Sequence, residues 1–164
     1  MKNTYVTARL HLQPMSVADA AFIYALVNTE GWIKYIGNRN VTSVEDADSY
    51  IRKILNNSNV TYWVVRSKNE QTPMGIITFI KREYLSYPDI GFAFLPLYSG
   101  KGYAYEAAKT ILDEAITADG NLRVLATTVP DNTRSIQLLW QLGLRLEEEI
   151  LHEGEKLLVY ATPA

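Results

Sequence analysis

Cysteine is absent from this 164-residue chain, which removes disulfides, thiolate metal sites and a cysteine nucleophile together. Histidine is scarce: His11 and His152 stand far apart and form no zinc-type spacing, so no metal site is expected. No apolar run reaches the roughly 18 residues a spanning helix needs, and no leader pattern opens the chain. A cytoplasmic protein without a membrane partner is therefore expected. An excess of positive charge is lacking too. Sixteen Lys and Arg face 18 Asp and Glu, a formal net charge of −2, which argues against a nucleic-acid-binding surface. What is present is ordinary for a soluble globular protein, with 48% hydrophobic and 21% charged residues. With no internal repeat, low-complexity tract or linker, one domain over residues 1–164 is expected.

The apolar spacing sets the order of elements. Residues 7–13 (TARLHLQ) alternate as a strand and stop at Pro14. Ser16 and Asp19 have the spacing of a helix N-terminus, a second short helix covers 30–36 and ends at Gly37, and a third runs from Ser43 to Leu55. Three strands follow in an antiparallel meander, at 61–67, 74–81 and 89–95. A long helix over 103–118 buries Ala104, Ala107, Ala108, Ile111, Leu112 and Ala115. A strand at 122–128 comes after this helical crossover and is expected parallel to 89–95. A helix over 133–142, closed by Gly143, and a hairpin of 144–151 with 156–162 around Gly154 complete the chain.

The most informative segment lies between Asp89 and Ala108, DIGFAFLPLYSGKGYAYEAA. A strand runs into Ser99-Gly100-Lys101-Gly102, and a helix begins at once. The first N–H groups of a helix lack partners within it and sit at the positive end of its dipole. Glycines let a phosphate approach that backbone closely, and Lys101 adds a mobile charge. A Gly-x-Gly alone is also an ordinary turn. The loop matches neither a P-loop nor the dinucleotide fingerprint, since Tyr105 occupies the third glycine position.

Together the segments resemble the GCN5-related N-acetyltransferases, and more narrowly the branch of the ribosomal-protein N-terminal acetyltransferases. Thr7-Ala8-Arg9-Leu10-His11-Leu12 resembles the branch's opening strand, and Asp19-Ala20 the start of its first helix. Tyr62-Trp63-Val64-Val65 and Met74-Gly75-Ile76 resemble the following strands. Asp89-Ile90-Gly91-Phe92 and the run from Gly100 to Ala107 are similar to the acetyl-CoA motif, while Asn132-Thr133-Arg134-Ser135 with Leu142-Gly143-Leu144 is similar to the second cofactor motif. The resemblance implies an α/β (α+β) fold: a central mixed, mostly antiparallel seven-stranded sheet, splayed between its strands 4 and 5 and flanked by helices. It implies acetyl-CoA as cosubstrate, with its pantetheine arm against the backbone of Phe92, Ala93 and Phe94. The pyrophosphate would lie on Ser99, Gly100, Lys101, Gly102, Tyr103 and Ala104, with Asn132 and Ser135 on the far side. The acceptor implied is a primary amine, on a peptide N-terminus or a small molecule, and a homodimer through the terminal strands is expected by analogy.

Two departures bear on chemistry. Leu97 stands where the family often has Arg or Gln, and Leu139 where it often has a tyrosine general acid. Ser135 is then the candidate acid for the departing thiolate, and a backbone N–H near Phe94 the candidate oxyanion contact. Ser135 could equally serve only the helix or the cofactor, and Asn132 could be only an N-cap. Glu106 reads first as a helix-dipole partner with acceptor contact as the alternative, Glu83 and Asp89 as solvated charges with base or amine anchor as the alternative, and the glutamates near His152 as a solvated hairpin with attraction of a cationic amine as the alternative. Leu139 also keeps open a catalytically inactive acyl-CoA-binding sensor of the same fold.

Overall fold

The computed structural model describes residues 2–118, 120 and 123–164. Among the described residues eight strands form one sheet in the order β1-β2-β3-β4-β5-β6-β8-β7. They are β1 (Tyr5–Val6), β2 (Leu10–Pro14), β3 (Val60–Ser67), β4 (Pro73–Ile80), β5 (Asp89–Phe94), β6 (Leu125–Thr128), β7 (Arg145–His152) and β8 (Glu155–Ala161). The helices are α1 (Ala20–Val27), α2 (Glu30–Tyr35), α3 (Val44–Leu55), α4 (Tyr103–Thr117) and α5 (Thr133–Gln141). The expected strand at 122–128 begins at Leu122, outside the described residues; from Leu125 it is β6.

The one difference in strand count arises at residues 7–9. The Thr7 hydroxyl accepts the Leu10 N–H at 3.0 Å, and the Thr7 N–H donates to the Leu10 carbonyl at 2.9 Å. This tight turn splits the single strand expected at 7–13 into β1 and β2 and raises seven strands to eight. The splay accordingly falls between the fifth and sixth strands, which are the same segments as those expected.

Each face of the sheet carries its own core. On one side α4 and α5 pack Ala107, Ala108, Ile111, Leu112 and Leu139 against Leu10, Leu12, Trp63, Ile77 and Ile90. The alanines bring α4 close to the strands, and burial of such side chains supplies about 25 cal/mol per Å² of apolar surface. On the other side α1 and α3 cover Val64 and Ile76 with Ile23, Leu26, Ala47 and Ile51. The strand alternation that sends Trp63 and Val64 to opposite cores is simple period-two geometry.

Candidate active site

β5 and β6 are parallel and pair only through Asp89 and Leu125. Beyond that contact β6 continues on β8, from Leu125 opposite Ala161 to Thr128 opposite Leu158, while β5 continues on β4. A V-shaped slot opens between them. The backbone pattern says what lines it. The Leu95 N–H donates to the Met74 carbonyl at 2.9 Å. Since an antiparallel ladder alternates, Ala93 and Gly91 also turn their amides toward β4, and Phe92 and Phe94 turn theirs toward the slot. Of the three residues expected to meet the pantetheine arm, Ala93 therefore points its backbone the other way. Its methyl packs beside Val64 and Ile76 in the second core.

The glycine loop closes the wide end of the slot. Pro96–Tyr98 make a single 3-10 turn, and the Ser99 N–H is already bonded to the Pro96 carbonyl at 3.1 Å. Gly100 and Gly102 have φ of 74° and 82°, a left-handed backbone that glycine adopts without cost, and Gly102 is the N-cap of α4. The first backbone bond of α4 runs from the Glu106 N–H to the Gly102 carbonyl at 3.0 Å. The amides of Tyr103, Ala104 and Tyr105 thus have no acceptor within the helix, at the positive end of a 15-residue dipole. These donors fit a pyrophosphate.

Two residues from the start of the chain reinforce the loop. Glu106 accepts from the Thr7 hydroxyl, from the Arg9 N–H at 3.1 Å and from Arg9 Nε at 2.8 Å. Arg9 Nη1 donates to the Lys101 carbonyl at 3.0 Å, and its guanidinium lies 4.4 Å from the centre of the Tyr103 ring. Burial works to raise the Glu106 pKa, but the bonds from Thr7 and Arg9 outweigh it and hold the carboxyl below its ordinary value. Glu106 is a structural tie between α4 and β2. The run Thr7-Ala8-Arg9 gave no sign of this beyond its place at the start of the expected first strand, because its partner lies almost a hundred residues later.

On the opposite wall, Asn132 caps α5 by accepting the Ser135 N–H at 3.3 Å, which places the Ser135 side chain, half-buried, in the first turn of that helix. Leu139 points away into the first core, 1% exposed, so the tyrosine position of the family is filled by packing.

The narrow end of the slot holds a carboxylate. Asp89 is 2% exposed, which corrects its reading as a solvated charge: it is paired with β4 through Ile80 and with β6 through Leu125. Its Oδ2 accepts from Arg82 Nε at 2.9 Å and from the Thr127 hydroxyl at 3.5 Å. Burial pushes its pKa up, and Arg82 and Thr127 only partly offset that. Glu83, by contrast, is exposed. On the same sheet face Tyr62, Thr78 and Gly91 stand side by side, and Tyr62 meets the Tyr50 hydroxyl at 3.4 Å. Burial raises the Tyr62 pKa, Tyr50 adds to it, and the charges of Arg39 and Arg82 pull the other way.

The two histidines and the hairpin glutamates complete the candidates, and Tyr84, on which His152 stacks, interacts with Arg82 and Asp89 at the narrow end. His11 Nδ1 contacts Gln71 Oε1 at 3.2 Å, and His152 stacks on Tyr84 at 3.7 Å. Glu147 and Glu149 pair with Arg123 and Lys156 at 2.7 and 3.4 Å on the exposed hairpin.

A splayed parallel strand pair, a helix N-terminus at its wide end and a capped helix opposite define an acetyl-CoA-dependent acyltransferase fold. Residues 9–145 match the family model described as acetyltransferase (GNAT) domain, and the chain belongs to that family. Among curated proteins it is similar to the uncharacterized N-acetyltransferase YnaD of Bacillus subtilis, 30% identical over 141 residues, covering 86% of this chain and 82% of that one. It is also 21% identical over 143 residues to the spermidine N(1)-acetyltransferase of Escherichia coli, covering 87% and 76%. Among solved structures, a GNAT-family acetyltransferase from Bacillus anthracis superposes with a TM-score of 0.81 at 27% identity, covering 96% of each chain. The ribosomal L7/L12 acetyltransferase RimL in complex with coenzyme A shares the fold, with a TM-score of 0.81 at 16% identity over 96% and 95%. The protein is an N-acetyltransferase of the GNAT family and uses acetyl-CoA. The ribosomal-protein branch is one of several kinds of neighbour it has.

Proposed function

We propose that the protein moves an acetyl group directly from acetyl-CoA to the primary amine of a small molecule or a peptide N-terminus, without an acyl-enzyme. The observation that carries this reading is the slot: its open edge offers the Phe92 and Phe94 amides, and it leads from the phosphate-binding end of α4 to the buried Asp89 carboxylate. Acetyl-CoA supplies the thioester. The chain supplies three things. The Phe94 N–H meets the developing oxyanion, Asp89 takes a proton from the substrate ammonium so that the neutral amine attacks the thioester carbonyl, and Ser135, reprotonated from solvent, passes a proton to the thiolate as the C–S bond breaks. A carboxylate whose basicity is raised by burial suits that task better than an exposed one. The backbone from Gly100 to Ala104, with Lys101, receives the pyrophosphate, and Asn132 approaches the cofactor while capping α5. The amine enters from the face of Tyr62, Thr78 and Arg82.

Thiol release from acetyl-CoA, followed across amino acids, polyamines, aminoglycosides and N-terminal peptides, tests the reading. Turnover with one class names the acceptor. Tight coenzyme A binding with no thiol release against every class would instead favour the sensor.

A further inference from the structure

The phosphate-binding end of α4 contains a conflict. Leu97 is 71% exposed and brings no charge to the loop. Glu106 puts a carboxylate in the first turn, which suits the helix dipole and opposes a bound pyrophosphate. Arg9 answers both problems. Its Nε and main-chain N–H bind Glu106, its Nη1 holds the Lys101 carbonyl, and the Tyr103 ring supports the guanidinium plane. That leaves Nη2, which lies 3.3 Å from where a Cβ on Gly102 would stand. It borders the N-cap of α4, beside the free amides.

We propose that Arg9 is the positioning cation of the phosphate loop: it neutralises Glu106, fixes the Lys101–Gly102 backbone and turns its Nη2 edge to the coenzyme A pyrophosphate. It takes the place of the charge that Leu97 does not supply. The inference rests on coenzyme A lying at this loop. Arg9 reaches the site from the turn between β1 and β2, so the break at residues 7–9 serves the cofactor. The Thr7 hydroxyl belongs to the same device, because it fixes the turn through Leu10 and the carboxylate through Glu106.

Calorimetry with coenzyme A, and with pantetheine as a ligand lacking the pyrophosphate, separates this role from a structural one. Arg9→Ala is expected to weaken coenzyme A about 10- to 100-fold, as for loss of a charged hydrogen bond, and to leave pantetheine within about twofold. The double variant R9A/E106Q, with no unpaired carboxylate at the loop, recovers part of the loss. Arg9→Lys keeps the charge but not the fork that grips Lys101 and Glu106 together, and it falls between wild type and Arg9→Ala. R9K also serves as the measurement if R9A does not fold: coenzyme A weakened with pantetheine unchanged supports the role. Coenzyme A binding within twofold of wild type, or equal loss for pantetheine, overturns it. Wild-type protein that binds no coenzyme A would overturn the acetyltransferase reading itself, a different result.

Discussion

Asp89 and Glu106 are both carboxylates tied to arginine, yet they respond to pH in opposite directions. The Glu106 pKa lies below its unfolded value, so its contribution to stability is complete above the ordinary carboxylate range and is lost as pH falls through the native value. The melting temperature of Glu106→Gln should therefore fall below wild type at neutral pH, and the gap should close in acid. The Asp89 pKa lies above its unfolded value, so its ionisation costs stability as pH rises through that range. Asp89→Asn should lower kcat/KM about 100-fold, the lower end of the range for a lost general base, and should also lower stability at neutral pH by leaving the Arg82 guanidinium without its carboxylate. Parallel melting and initial-rate measurements check both. Ser135→Ala should lower kcat at least tenfold with the acetyl-CoA KM little changed; unchanged turnover removes Ser135 as the acid and leaves water in that role.

At the scale of elements, the slot depends on how closely β4 and β5 approach. A Cβ on Gly75 would lie 2.5 Å from the Phe94 ring and 2.6 Å from the Ala93 carbonyl. Gly75→Ala should destabilise the protein by about 1–3 kcal/mol, typical of overpacking, and should also weaken coenzyme A by displacing Phe94. Urea unfolding and calorimetry on the same preparation report the two effects. The elements themselves were largely legible in the sequence. Ser43, Gly37 and the alanine stripe mark their helices because caps and periodicity are local signals, and α3 spans Val44–Leu55 beside its expected start. The glycine loop and the Asn132 cap were legible for the same reason. What the sequence could not show is set by distant partners. Thr7 and Arg9 bond Glu106, the burial of Asp89 needs β6 beside it, and the turn of the Ala93 amide away from the slot follows from the ladder register with β4. None of these leaves a trace in neighbouring residues.

For the whole molecule, the two cores have different duties. On the proposed reading the α4–α5 side holds the cofactor end, and the α1–α3 side, through Tyr50, Tyr62 and the Arg82–Asp89 pair, shapes the approach of the acceptor. Among the described residues no helix is long and apolar enough to cross a membrane. The similarity to a spermidine acetyltransferase and to RimL spans polyamine and protein acceptors, so relatedness leaves the acceptor to the chain's own residues. The central claim is that the slot between β5 and β6 carries acetyl transfer with Asp89 as the proton acceptor. Thiol release from acetyl-CoA against the amine and peptide panel, run side by side for wild type and Asp89→Asn, tests it most directly. The account predicts acceptor-dependent thiol release by wild type and about 100-fold less by the variant at equal coenzyme A affinity. Equal rates for the two proteins would contradict it.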